Sequence, residues 1–124
     1  MKIITMIVRI LLGLVFVVFG SNAFLHFIPV PPLPDTPSGR FLSAMFESHY
    51  IYGVAAIEVL GGLLLVVGRY VPLGLALLAP IIVNIVFYHT FMDQSGLGMA
   101  AVVSLLAVFL VWRYREAFAG LLRP

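Results

Sequence analysis

Glu58 stands in the stretch IEVLGGLLLVVGRY, and between Ile51 and Val67 no other side chain carries a charge. A carboxyl group in so apolar a run can titrate, form a hydrogen bond or hold a polar ligand. Asn84, in APIIVN, adds an amide that both donates and accepts, and Tyr88 and His89 follow it. Asn22 and His26 close an earlier apolar run. Glu58, Asn84, His89, Asn22, His26 and Tyr88 are therefore the candidate ligand-binding residues. No catalytic set accompanies them, because no serine stands beside a base and an orienting acid. Histidine spacings of the H-x-x-x-H or H-E-x-x-H kind and glycine-rich phosphate loops are missing, so no metal site is expected. The chain has no cysteine, which excludes thiolate chemistry and cysteine-ligated metals. An ionisable and amide pair with histidines at its mouth suits a quinone head group, a protonatable small solute, or a structural lock.

The elements that must position these groups are membrane spans. Of 124 residues 63% are hydrophobic and 10% charged, and the mean hydropathy is +1.17, so a water-soluble surface cannot be built. A span needs about 20 apolar residues, and segments of nearly that length run from Ile3 to Phe24, Tyr50 to Val67, Val71 to Phe91 and Leu97 to Trp112. The fourth is short and should borrow length from Gly96 or from Arg113 and Tyr114. Continuous apolarity argues against the alternating strands of a membrane barrel. The expected fold is all-α, a single integral membrane four-helix bundle over residues 1–124.

Charge sets the expected orientation. Lys2, Arg9, Arg69, Arg113, Arg115 and Arg123 fall on one side if the spans alternate, and Arg40 alone falls on the other. Basic residues collect on the cytoplasmic side, which predicts an inner-membrane protein with both termini inside. The net charge of +2 reflects this asymmetry; no basic stripe exists to bind nucleic acid. A secretory signal is the rival for the first run, since GSNA resembles a cleavage site. Arg9 interrupts that run, and cleavage would remove one helix from a minimal bundle.

Spans two and three are joined by the tight turn GRYVP. Between spans one and two, residues 27–49 form a Pro-rich external loop that carries five of the eight prolines. After Pro37, SGRFLSAMFES predicts a short interfacial helix with Phe41, Leu42, Met45 and Phe46 on its apolar face. It is read either as a lid or as a plain linker.

Glu58 lies roughly 12 Å and Asn84 roughly 10 Å below the outer ends of their helices, by the 1.5 Å rise per residue. A charge in a span costs at least about 2.5 kcal/mol, so Glu58 should face the interior and be protonated or paired. Gly61 and Gly62 share its face and allow close helix approach. Pro80, one turn before Asn84 on the same face, frees the carbonyl of Ala76. Tyr88 continues the Asn84 face, whereas His89 lies about 140° around the helix. For Asn84 an interhelical packing bond competes with ligand binding, His26, His49 and His89 read as interfacial polar tips ahead of ligands, and Arg9 is expected to snorkel to the headgroups.

The segments RILLGLVFVVFGSNAFLHFIPVPPLP at 9–34 and IEVLGGLLLVVGRYVPLGLALLAPIIVNIVFYHTF at 57–91 resemble the DoxX-like membrane proteins. The most specific elements are E-x-x-G-G-L-L-L-x-x-G-R and A-P-I-I-V-N leading to F-Y-H. These fall on Glu58, Gly61, Gly62, Gly68, Arg69, Pro80, Asn84 and His89, and the likeness is read as covering nearly the whole chain. The resemblance implies four spans. Some members of the family are the small membrane subunit of a thiosulfate–quinone oxidoreductase, and others accompany complexes that handle oxidative or thiol stress. Without a flavin, haem or iron–sulfur motif the chain cannot carry electrons alone. Three functions follow: an accessory or quinone-site subunit beside a membrane redox partner, a small-solute binding or transport protein built around Glu58, or a structural interaction protein, with self-association also open.

Overall fold

The computed structural model describes residues 1–124, apart from the side chain of Leu122. Its elements are α1 (Lys2–Leu25), α2 (Pro37–Glu47), α3 (Tyr50–Val67), α4 (Val71–Phe91), a 3-10 turn (Gln94–Gly96), α5 (Leu97–Arg113) and a 3-10 segment (Arg115–Leu122). Strands do not occur among the described residues. α1, α3, α4 and the continuous stretch Gln94–Arg113 are each long and apolar enough to cross a bilayer. The chain is thus an all-α, multi-pass membrane protein in contact with lipid. The fourth span does borrow length, as expected: the 3-10 turn and Arg113 extend it to 20 residues, about 30 Å if each residue rises by 1.5 Å.

α1 packs on α3 and α5, and α4 packs on the same two helices, which closes a ring of four. Arg113 Nε donates to Thr5 Oγ1 at 3.0 Å, and Thr5 Oγ1 donates to the Met1 carbonyl at 2.9 Å. This tie brings the start of α1 to the end of α5, so both termini lie at one end of the bundle, here the terminal end. The Pro-rich loop and α2 lie at the opposite, loop end.

Close approach of the helices depends on missing side chains. A Cβ on Gly62 would stand 2.7 Å from the Gly13 carbonyl oxygen, and one on Gly13 would stand 2.7 Å from that of Gly62. Small residues let α-helices meet at backbone distance where lipid offers no hydrophobic driving force. Gly61 and Gly74 repeat the device between α3 and α4, with a Cβ on Gly74 falling 3.0 Å from the Gly61 oxygen. Leu12, Leu65, Leu78 and Leu110 are fully buried and fill the core toward the terminal end. Toward the loop end the buried residues shrink to Gly20, Ala55 and Ala100. Outward, Ile3, Leu60, Leu73, Val83 and Leu105 are exposed, an apolar surface matched to acyl chains.

α2 forms where expected. Thr36 caps it by accepting from the Gly39 N–H at 3.2 Å, and Pro37 supplies a preset first-turn φ. Its buried edge differs from the one read in the sequence: Ser38 and Gly39 are buried, Leu42, Ser43 and Met45 half-buried, and Phe41 and Phe46 exposed. The reason is contact at its N-terminal turn, where Gly39 lies directly on the Pro34 carbonyl. Phe41, though exposed, still reaches Tyr88 of α4, with ring centroids 5.9 Å apart.

Candidate functional site

Glu58 sits in the seam between α1 and α3, where Gly20 leaves room for it: a Cβ on Gly20 would meet Glu58 Cβ at 3.1 Å. Its residue is half-buried. Around α3 it lies between Gly62, which faces α1, and Gly61, which faces α4, so it points into the ring, as its cost in lipid requires. Among the described residues it makes no side-chain hydrogen bond.

Asn84 does not meet it. The amide is exposed on the outer surface of α4, and Nδ2 donates to the Pro80 carbonyl at 2.9 Å. The helical period explains the separation. The buried stripe of α4 runs through Val71, Gly74, Leu75, Leu78 and Ile82; Asn84 lies about 120° around from Leu78, while His89 returns to within about 20° of it. The expected Glu58–Asn84 pair is therefore replaced by a local bond to the helix's own backbone.

His89 shares the inward stripe but is engaged at the loop end. Its Nδ1 lies 2.9 Å from the Asp93 carbonyl, and its ring packs directly on Gly96. The imidazole closes the α4–α5 turn. In that turn Asp93 accepts from the Ser95 hydroxyl and, at 3.2 Å, from the Ser95 N–H. These bonds, in that order, hold the Asp93 carboxyl below its usual pKa, with a smaller contribution from the nearby His89. Tyr88 stacks obliquely on Phe41 of α2 with ring centroids 5.9 Å apart and meets the His89 ring edge-on at 4.9 Å. It thus fastens α2 to the bundle.

Asn22 is occupied by the chain that follows it, since Oδ1 accepts from the Ile28 N–H at 2.7 Å. His26 is exposed and caps α1 in the left-handed region at φ 53°. Arg9 lays its guanidinium on Gly68 at the terminal end of α3. The six candidates therefore do not converge on one pocket. Tyr88 and His89 meet, and Asn22 and His26 share a turn, but Glu58 and Asn84 stand apart.

Three features were not read from the sequence. A groove of about 490 Å³ runs between α1 and α3, lined by Ser21, Phe24, Ala56, Val59 and Leu60 among others. Phe24, Tyr52 and His49 stack in succession, with centroids 5.3 and 5.7 Å apart. Ser104 on α5 has a buried Oγ with no hydrogen-bond partner. The available signal was its depth: at seven residues from Leu97 it lies roughly 10 Å below the loop end, level with Glu58.

A family model described as DoxX matches residues 4–91, from the first turn of α1 to the end of α4, and includes all six candidates. The chain belongs to the DoxX family. The DoxX match stops at Phe91, so α5 lies outside it and the likeness is narrower there than the sequence reading held. The chain is also similar to the uncharacterized protein YwoB of Bacillus subtilis (strain 168), at 26% identity over 122 residues, covering 93% of this chain and 79% of that protein. No solved structure matches it.

Proposed function

We propose that this DoxX protein is a non-catalytic accessory subunit of an inner-membrane redox system, held to its partner by contacts within the bilayer. The observation that carries the reading is Asn84, an amide exposed on the outer surface of α4 and bonded only to Pro80. Its oxygen and second N–H are left for another molecule. A polar side chain at that depth finds its match in a neighbouring helix, an interaction typically worth about 0.6 kcal/mol and up to about 2. Glu58, without an internal hydrogen bond, adds a second unspent group at the same level.

The redox character of the partner comes from the DoxX resemblance. A quinone fits the present residues poorly: Glu58, Asn84 and His89 do not converge, and His89 Nδ1 is already held by Asp93. No step is assigned to such a cofactor. The proposed orientation puts both termini in the cytoplasm. It rests on six basic residues at the terminal end against Arg40 at the loop end, which is paired with Asp35 at 2.9 Å.

The test is purification of the tagged chain and of Asn84→Leu from native membrane. Exposed substitutions away from special features change stability by no more than about 0.5 kcal/mol, so the isolated variant should unfold with the wild type. Co-purification of a redox enzyme with the wild type, and its loss from the variant, is the expected result. An isolated bundle that retains a small molecule would reject the accessory role in favour of solute binding. Identical neighbours in both preparations would remove Asn84 as the contact.

A further inference from the structure

A second polar feature lies at the terminal end, away from the six candidate residues. There Arg113, Tyr114, Arg115, Glu116 and Ala117 line a cavity of about 450 Å³. It forms because α5 stops at Arg113 and the following 3-10 segment folds under the bundle, drawn by Tyr114 and Phe118, which pack against the core. Both guanidiniums lie near the Trp112 ring, at 5.8 Å for Arg113 and 5.2 Å for Arg115.

Each arginine is fixed by one bond. Arg113 spends Nε on Thr5 Oγ1, and Arg115 donates an Nη1 hydrogen to the Trp112 carbonyl at 2.9 Å. A guanidinium has five N–H donors, so most of each fork remains available. Among the described residues neither arginine forms an ion pair, although Glu116 lines the same cavity. Two fixed cations outweigh that one carboxylate and the partial negative charge of about a half at the end of α5.

We propose that this cavity binds the phosphate of an anionic phospholipid, held between Arg113 and Arg115. Guanidinium forks match phosphate oxygens in bidentate geometry. The location selects a lipid over a free anion: the cavity closes a membrane-spanning helix beside Trp112 and Tyr114, residue types that settle at headgroup level. Leu105, Val108 and Val111 leave an exposed apolar flank on α5 for the acyl chains. A headgroup that carries its own ammonium would bring a third cation toward the two guanidiniums, whereas phosphatidylglycerol brings none. The assignment does not depend on which leaflet the terminal end faces, nor on the accessory role.

Trp112 is the only tryptophan, so its fluorescence reports on this site alone. The intact chain would be placed in phosphatidylcholine vesicles containing brominated phosphatidylglycerol or, separately, brominated phosphatidylcholine, which quench on contact. An arginine near an anionic lipid surface contributes about a fivefold change in affinity, from about 1 kcal/mol per residue. The wild type should therefore prefer phosphatidylglycerol at least about fivefold. Arg115→Gln, which leaves the Arg113–Thr5 tie intact, should bring the two lipids close to parity. Glu116→Gln should raise the preference, a gain that misfolding cannot produce. Equal quenching by both lipids in the wild type, or an unchanged preference in Arg115→Gln, overturns the proposal. So does a response of Trp112 to millimolar inorganic phosphate in lipid-free detergent micelles, which would assign the site to the free anion.

Discussion

Replacing Gly62 by alanine tests whether the α1–α3 seam is set by backbone contact. The new Cβ would stand 2.7 Å from the Gly13 oxygen and 3.0 Å from Val17 Cγ2, where ordinary contact begins near 3.4 Å. The helices must therefore part locally by about 0.7 Å, a gap that forfeits a quarter to a half of each contact's attraction. On the order of 20 atom pairs at 0.1–0.2 kcal/mol each would lose about 1 kcal/mol. Strain in Val17 brings the expected cost into the usual overpacking range of about 1–3 kcal/mol. Gly53→Ala is the control, because a Cβ there meets nothing within 4 Å. It should stabilise α3 by about 0.5–1 kcal/mol, the helical preference for alanine over glycine. Both variants would be unfolded by dodecyl sulfate in mixed micelles and followed by circular dichroism. Equal midpoints would refute the reasoning, since the two substitutions differ only in what surrounds them. Gly13→Ala combined with Gly62→Ala should cost less than the separate losses added together, because one separation relieves both collisions.

Three further outcomes are expected. Reporter fusions after Pro124 and within the Pro31–Pro37 segment should fall on opposite sides of the membrane with the C-terminus cytoplasmic; a periplasmic C-terminus rejects the orientation. Glu58→Gln should leave the unfolding midpoint within about 0.5 kcal/mol of wild type, there being no internal bond to lose, while redox activity of native membranes falls; unchanged activity would reduce Glu58 to a packing residue. Asp93 has a folded pKa below its ordinary value of 3.8, so the unfolded state binds protons first, and its contribution to the α4–α5 turn is complete above about pH 4 and fades as pH falls through the folded pKa. Amide exchange at Ser95 should accelerate over that acidic window in the wild type and show no such step in Asp93→Asn; the same step in both proteins would locate the titration elsewhere.

Span positions were legible because the bilayer demands long apolar runs and the chain supplies them between turn residues. The ends of α3 and α4 at Tyr50, Val67, Val71 and Phe91 coincide with those read from composition. The short helix after the Pro-rich loop was legible too, beginning within one residue of where Pro37 placed it, although its buried edge was not. The placement of Gly61 and Gly62 toward neighbouring helices followed from the helical period. The same period also carried the warning about His89, whose offset from Asn84 was read correctly.

What the period could not say is which of the two faces inward. That choice is made by the packing of α4 on α3 and α5, where Leu78, Gly74 and Ile82 fill the interior and leave Asn84 outside. Depth along a helix is a one-dimensional property, and it put Glu58 and Asn84 at one level. Contact between them requires azimuth as well, and azimuth is fixed only when four helices select their mutual rotations together. The cavity beside Arg113 and Arg115 was hidden for the same reason. It arises where α5 gives way at Arg113 to the 3-10 segment and Tyr114 and Phe118 pack against the core, a choice of packing that no local pattern encodes.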